Sequence, residues 1–332
     1  VDLGRGRSKA LVEEKGEGRV YLDFLMEIYR EVVKRGRTMQ FWGDIIVNHP
    51  DLVAELPRDV IALEWGYEAD HDFDGRAAVF ARSGIPFYVC PGTASWNTVG
   101  GRTNNALGNL KNAAVHGLKH GAIGYLNTDW GDRGHWQPLL ASYIGFGYGA
   151  AVSWAYEANE ALDINSAIGR FVYQDQKNVM GQLISGLGNA HELTEIYNHN
   201  GTILFRILQA DAEEILSGLK ELDDETLEER FNKTAQRLDS LIGALEEPEM
   251  GCADAELVEQ EFVWAAEMLR HACQRGLWVR NGQPDEQRAA LRDEAQRLIQ
   301  TYQTIWHARN RPGGYQESVE RLEQMAELYK QV

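Results

Sequence analysis

Cysteine and proline are scarce in this chain of 332 residues, at three and eight. Cys90, Cys252 and Cys273 are odd in number, scattered, and form no Cys-x-x-Cys pair for zinc or dithiol chemistry, so a reducing, cytoplasmic setting is the expectation. Long apolar runs are missing too. No window approaches the roughly 18 to 20 uninterrupted apolar residues of a membrane span, and no charged-then-apolar signal segment opens the chain. Positive charge is in deficit: 33 Lys and Arg stand against 50 Asp and Glu, a formal net charge of −17. So acidic a surface repels phosphate backbones and anionic lipid, which excludes nucleic acid and membrane as expected partners and favours neutral substrates. There is no Gly-x-Ser-x-Gly elbow, and His49, His116, His120 and His191 have no nucleophile at fixed spacing, which argues against a serine or cysteine hydrolase.

What is present is the composition of an ordinary globular protein, 44% apolar and 25% charged, long enough for two domains or one large domain with an appendage. From about 19 to 35, Val20, Leu22, Leu25, Ile28, Tyr29, Val32 and Val33 recur at three and four, the period of an amphipathic helix. A short apolar run around Met39 to Val47 follows. The pattern then repeats: a helix near 50 to 56, a strand at Val60 to Trp65, a helix near 74 to 83, a strand at Pro86 to Cys90, a helix near 105 to 118 and a strand at Ala122 to Asn127. Four such strand-then-helix units predict a parallel sheet with helical crossovers. Beyond about 155 strand signals nearly vanish. Charged amphipathic stretches near 211 to 245, 254 to 276, 285 to 307 and 315 to 330 predict a helical region, with Thr202 to Leu208 as one remaining strand candidate.

The chemistry-bearing residues gather at the carboxyl ends of the predicted strands, where parallel α/β folds place their sites. Trp42 with Asp44, Glu64 with Trp65, Tyr88 with Trp96 downstream, and Asp129 with Trp130 and Asp132 all lie there. Indoles beside carboxylates suit a sugar, whose apolar ring face stacks on an indole while its hydroxyls donate to carboxylates. The segment N-T-D-W-G-D-R-G-H-W-Q (127 to 137) is the densest of these. Its Asp129, Asp132 and His135 lack the helical His pair and the sulfur ligands of a metal centre, so no metal and no cofactor are expected. D-H-D-F-D-G (70 to 75) imitates a calcium loop, but Ala81 stands where the bidentate Glu is required, and an Asp-rich helix start explains it. G-R-G-R-S-K (4 to 9) lacks phosphate-loop spacing.

The succession L-G-R-G-R-S-K (3 to 9), F-W-G-D-I (41 to 45), L-E-W-G-Y-E-A (63 to 69), P-F-Y-V-C-P-G-T-A-S-W-N (86 to 97), G-R-T-N-N-A (101 to 106) and G-Y-L-N-T-D-W-G-D-R-G-H-W-Q (124 to 137) resembles the catalytic barrel of glycoside hydrolase family 20, the β-N-acetylhexosaminidases, in a bacterial branch. The resemblance covers about the first 155 residues. It implies a (β/α)8 TIM barrel, of which this chain would hold the C-terminal half, strands five to eight, as a partial catalytic domain over 1–155, followed by a mainly α-helical region over 156–332. It also implies exo-hydrolysis of terminal β-linked N-acetylglucosamine or N-acetylgalactosamine with retention, the substrate's own 2-acetamido oxygen acting as nucleophile.

In that mechanism an Asp orients the acetamido group while a neighbouring Glu protonates the leaving oxygen. The resemblance places this pair just upstream of Val1, since Asp2 stands too close to Leu3-Gly4 and no Glu follows it. The expectation is therefore a chain that binds the sugar but hydrolyses nothing alone. The residues implied for substrate are Trp42, Trp65 and Trp130 as indole walls, Asp132 for the outer hydroxyls, and Tyr88 or Trp96 for the acetamido oxygen, with Asp129, Asp44 and Glu64 as further candidates. The expected partner is an amino-sugar glycoside or oligosaccharide, and the helices are candidates for a homo-oligomer interface. Two other readings stay open: a non-catalytic amino-sugar-binding protein, and a barrel glycosidase acting on another hexose.

Overall fold

A computed structural model describes residues 3–330; Val1 and Asp2, on which the expectation about the upstream pair turns, lie outside the described residues. The chain opens with α1 (Lys9–Lys15) and α2 (Glu17–Lys34), then alternates β1 (Gln40–Trp42), α3 (Pro50–Val53), β2 (Ile61–Trp65), α4 (Phe73–Ser83), β3 (Phe87–Cys90), α5 (Thr103–His120) and β4 (Gly124–Tyr125). Helices follow without interruption: α6 (Leu140–Trp154), α7 (Tyr156–Asn159), α8 (Ile164–Phe171), α9 (Met180–Asn189), α10 (Ile203–Gln209), α11 (Ala212–Leu219), α12 (Asp224–Gly243), α13 (Ala255–Arg280), α14 (Asp285–Arg309) and α15 (Tyr315–Glu327).

The four strands form one parallel sheet in the order β1-β2-β3-β4, with Phe41 beside Ala62, Leu63 beside Tyr88 and Tyr88 beside Gly124. The expected half of a (β/α)8 barrel is overturned here. The described chain is 64% helical, with 15 helices against four strands, so the architecture is a helix-rich α/β one. The physical reason lies in strand length. The apolar runs read as strands, of five to nine residues, hold only two to five in the ladder, and the segments between and after them carry the 3.6-residue period instead. The strand candidate Thr202 to Leu208 is likewise corrected to helix α10. Its apolar residues are buried all round, which hides any period, and the Thr202 hydroxyl caps the helix by accepting from the Phe205 N–H at 3.2 Å.

By internal contacts the chain divides into two units, Val1–Gly92 with Gly108–Thr128 and Ala151–Glu160, and Thr93–Leu107 with Asp129–Ala150 and Ala161–Val332. The first holds the sheet. Phe41, Ala62, Phe87 and Val89 share one sheet face, and they are buried with Leu22 and Leu25 of α2 and Ala77 and Phe80 of α4. Asp72 caps α4 by accepting from the Gly75 N–H at 2.8 Å, and Gly84 ends it in the left-handed region at φ 69°, where a Cβ would be strained.

The second unit is built on α13, whose Phe262, Trp264, Met268, Leu269 and Trp278 are almost fully buried. Two polar clusters in this core are paired: His271 bridges Glu294 at 2.9 Å and the Tyr329 hydroxyl at 2.8 Å, and Glu261 takes the Arg309 guanidinium at 2.9 and 3.0 Å. After α9, His191 sits against the Gly188 carbonyl at 3.0 Å; burial, aided by the Arg102 charge, lowers its pKa to about 4. The folded state thus holds this imidazole neutral, and the unfolded chain binds its proton first. Stability from His191 is complete above the unfolded pKa near 6.5 and is lost as pH falls through about 4, by up to about 3 kcal/mol. Urea unfolding of wild type and His191→Gln between pH 7.5 and 4 is expected to show a gap that changes by this amount; parallel curves would reject it.

Candidate functional site

Pleat parity sorts the site residues of the first unit. Leu63, Tyr88 and Gly124 lie side by side across the ladder, and Trp42 is in register with Leu63, so Trp42, Leu63, Trp65 and Tyr88 share the sheet face opposite the α2 and α4 core. Trp42 is 37% exposed, while Trp65 and Tyr88 are half-buried. Trp65 stacks on Tyr67 with centroids 5.0 Å apart, and the Tyr88 ring lies over Gly124, where any larger residue would collide with it. Asp44 follows β1; its carbonyl accepts from the Asn48 amide at 2.8 Å, and its charge adds to the burial that pushes the Tyr21 hydroxyl up to about 12.

Glu64 departs from expectation. It faces the helical side beside Val89, is 0% exposed, and accepts from Arg76 at 2.5 Å and from His71 at 3.1 Å. As neighbours along a strand, Glu64 and Trp65 point to opposite faces, so the carboxylate is withdrawn from the indoles.

In the second unit the segment 129–137 is a tight, strained loop. Arg133, Gly134 and His135 all have positive φ (55°, 108° and 50°) around the one-turn helix Asp132–Gly134. Distant helices hold it there. Gln209 of α10 donates to the Arg133 carbonyl at 2.7 Å, Tyr302 of α14 to the His135 carbonyl at 3.2 Å, and the Trp136 indole to the Ser318 carbonyl of α15 at 3.1 Å. Within the loop, Gln137 donates to the Trp130 carbonyl at 2.6 Å.

This scaffold presents Asp129 in an unusual way. Its Oδ1 accepts from three hydroxyls, Thr93, Ser95 at 2.8 Å and Ser142 at 3.1 Å, while the residue as a whole stays exposed and Oδ2 takes no described donor. One oxygen fixes the carboxylate; the other remains an acceptor. Beside it Trp130 is 37% exposed and Asp132 is exposed. Trp96, expected to meet the acetamido group, is instead a core residue, 2% exposed, with its indole N–H donated to Asn200 at 3.0 Å. The reason is the strained segment 91–99, in which Ala94, Asn97 and Val99 have positive φ and turn the indole inward.

Ser142, Tyr302 and Trp306, which the sequence did not single out, complete this region. Asp129, His135, Gln137, Ser142, Tyr302 and Trp306 line a cavity of about 110 Å3, room for a few water-sized groups. Gln137 is 3% exposed, and its Oε1 is buried without a hydrogen-bond partner. His135 is held below its ordinary pKa by burial, partly offset by Asp129, and so is neutral near pH 7. A carboxylate oxygen and a neutral imidazole recognise hydroxyl or amide hydrogens.

Among the described residues one group has metal-ligand spacing: Asp74 of α4 with His116 and His120 of α5. The Lys119 ammonium already donates to both Asp74 oxygens at 2.6 and 2.8 Å and, with His120, drives the Asp74 pKa well below the carboxylate range, which marks an ion-pair network. No described helix is long and apolar enough to cross a membrane. No protein-family model and no curated protein matches the chain.

Proposed function

We propose that this chain is the sugar-recognising part of an exo-acting β-N-acetylhexosaminidase that works with retention and substrate assistance. The observation that carries the reading is the 129–132 segment, where a carboxylate with one oxygen fixed by three hydroxyls stands beside a partly exposed indole and a second exposed carboxylate. Stacking on Trp130 would hold the apolar face of a pyranose, Asp129 Oδ2 would accept from one ring hydroxyl, and Asp132 from an outer one. Each such charge-assisted hydrogen bond contributes about 1.5 to 3 kcal/mol. In the first unit Trp42, Trp65 and Tyr88 offer an aromatic face of the same chemical kind.

In the proposed reaction the substrate's acetamido oxygen attacks the anomeric carbon, the glycosidic oxygen leaves with a proton from a carboxylic acid, and water reopens the ring so formed. No residue of this chain is assigned that acid or the acetamido-orienting carboxylate. The chain's role is to bind and orient the sugar. The expected substrate is an amino-sugar glycoside with N-acetylglucosamine or N-acetylgalactosamine at its terminus.

The test is a titration of tryptophan fluorescence with the thiazoline derived from N-acetylglucosamine, which mimics the cyclised intermediate, and with N-acetylglucosamine itself. Saturable quenching, at least 10-fold tighter for the thiazoline and lost in Trp130→Ala/Asp132→Ala, is the expected result. Equal affinity for the two would favour a non-catalytic amino-sugar binder, and no response from the folded chain would refute the reading.

A further inference from the structure

A second concavity in the same unit, of about 660 Å3, has an unusual lining for so acidic a chain. Three guanidinium groups converge on it from three elements far apart in sequence: Arg133 of the turn after Asp132, Arg206 of α10 and Arg321 of α15. None of the three has a carboxylate partner among the described residues, whereas in the same unit Arg230 pairs with Glu195, Arg270 with Asp239, Arg280 with Asp224 and Arg309 with Glu261. Glu214 is the single carboxylate in the lining. Three like charges brought together with one counter-charge repel one another, a cost that an anionic occupant removes. Guanidinium is also the group that matches tetrahedral oxyanions with paired, directed N–H donors.

Apart from Phe205 and Ala210, the remainder of the lining is polar. Asn97, Asn198, Gln209 and Thr202 contribute amides and a hydroxyl, groups that pair with alcohols. The side chains of Asn198 and Gln209 are partly exposed, so their amides are within reach of an occupant's hydroxyls. The volume falls within the range of small-molecule sites. We infer that this concavity binds a sugar unit bearing a sulfate or phosphate ester, the ester oxygens held by Arg133, Arg206 and Arg321 and a ring hydroxyl by Asn198 or Gln209. This site is separate from the acceptors around Asp129. It does not rest on the hexosaminidase reading, because its lining shares no residue with the cavity beside Asp129.

The experiment is calorimetric titration of the whole chain at low salt with N-acetylglucosamine 6-sulfate, N-acetylglucosamine 6-phosphate, unmodified N-acetylglucosamine and inorganic sulfate. It is carried out on wild type, Arg206→Gln, Arg321→Gln and the double variant. Both substituted side chains are exposed, so circular dichroism and melting temperature should match wild type. At least one ester is expected to bind 10-fold or more tighter than either the neutral sugar or the free ion, and the tighter of the two esters identifies the natural substituent. Each single substitution should cut that preference about 5-fold, the double variant should abolish it, and added salt should weaken it. Equal affinity for ester and neutral sugar, inorganic sulfate as tight as the ester, or a preference that survives in the double variant would each overturn the inference. Failure of the thiazoline titration with retained ester preference would remove the hexosaminidase reading and leave this site standing.

Discussion

Replacing Asp129 by alanine is expected to weaken binding of the N-acetylglucosamine-derived thiazoline by about 10- to 150-fold and to lower stability as well. Two separate losses add here. The ligand loses an ionised acceptor, a contribution of about 1.5 to 3 kcal/mol, and the hydroxyls of Thr93, Ser95 and Ser142 lose the oxygen on which they converge. Ser142 still reaches Ser95 at 2.9 Å and Thr93 still reaches Ser95 at 3.2 Å, so the loop is loosened and not dismantled. Asp129→Asn separates the effects. Its amide oxygen still serves the three hydroxyls, while an NH2 replaces the bare acceptor. Asparagine should therefore keep the melting temperature near wild type and lose about 10- to 100-fold in affinity. An asparagine variant that binds as wild type would remove Asp129 from the recognition of sugar.

The largest effect on stability is expected at Arg275 of α13. This side chain is 2% exposed and donates to the carbonyls of Ile207 at 3.0 Å, Ala210 at 2.9 Å and Met325 at 2.9 Å, with its guanidinium 5.2 Å from the centre of the Tyr329 ring. Ile207 and Ala210 belong to the carboxyl end of α10, and Met325 to the last turn of α15, where helix carbonyls lack intrahelical partners and the dipole favours a cation. One guanidinium thus closes two helix ends. Arg275→Met fills similar volume yet strands three buried carbonyls, so unfolding in urea should show a loss of about 4 kcal/mol. Lysine cannot reach three divergent acceptors with one ammonium and should recover only part of it. A loss below about 1 kcal/mol in the methionine variant would mean that water replaces the guanidinium at these carbonyls.

Particular residues show how much was legible in the sequence. The spacing of Val20, Leu22 and Leu25 located α2, and Asp72 and Gly84 bracket α4 because a cap and a left-handed terminus have local signatures. Periodicity fails where burial is complete, which is why Ile203 to Leu208 could be read as strand or helix. The barrel expectation failed because motifs at strand ends speak about loops and not about how much chain lies in strands. Glu64 is turned away from the indoles, and its neighbour Trp65 announced this, since residues adjacent on a strand point to opposite faces. Trp96 was beyond reach, because its partner Asn200 lies 104 residues away. The fixation of Asp129 was half visible: Thr93 and Ser95 sit inside a motif already singled out, whereas Ser142 lies within an apolar helix and carries no local signal.

The anchoring of the 129–137 loop also sets a clock. Trp136 and its acceptor Ser318 are 182 residues apart, and Tyr302 meets His135 across 167. At about 5 to 20 residues per second, translation leaves the loop without these anchors for roughly 10 to 40 s after it emerges. During that interval Trp130, Asp129 and Asp132 belong to a segment whose three consecutive positive φ angles have Gln209 of α10 as their one helical anchor. The loop would therefore reach its final shape late in synthesis, and a nascent chain stalled before residue 302 would hold its sheet-forming sequence complete and its loop only partly held.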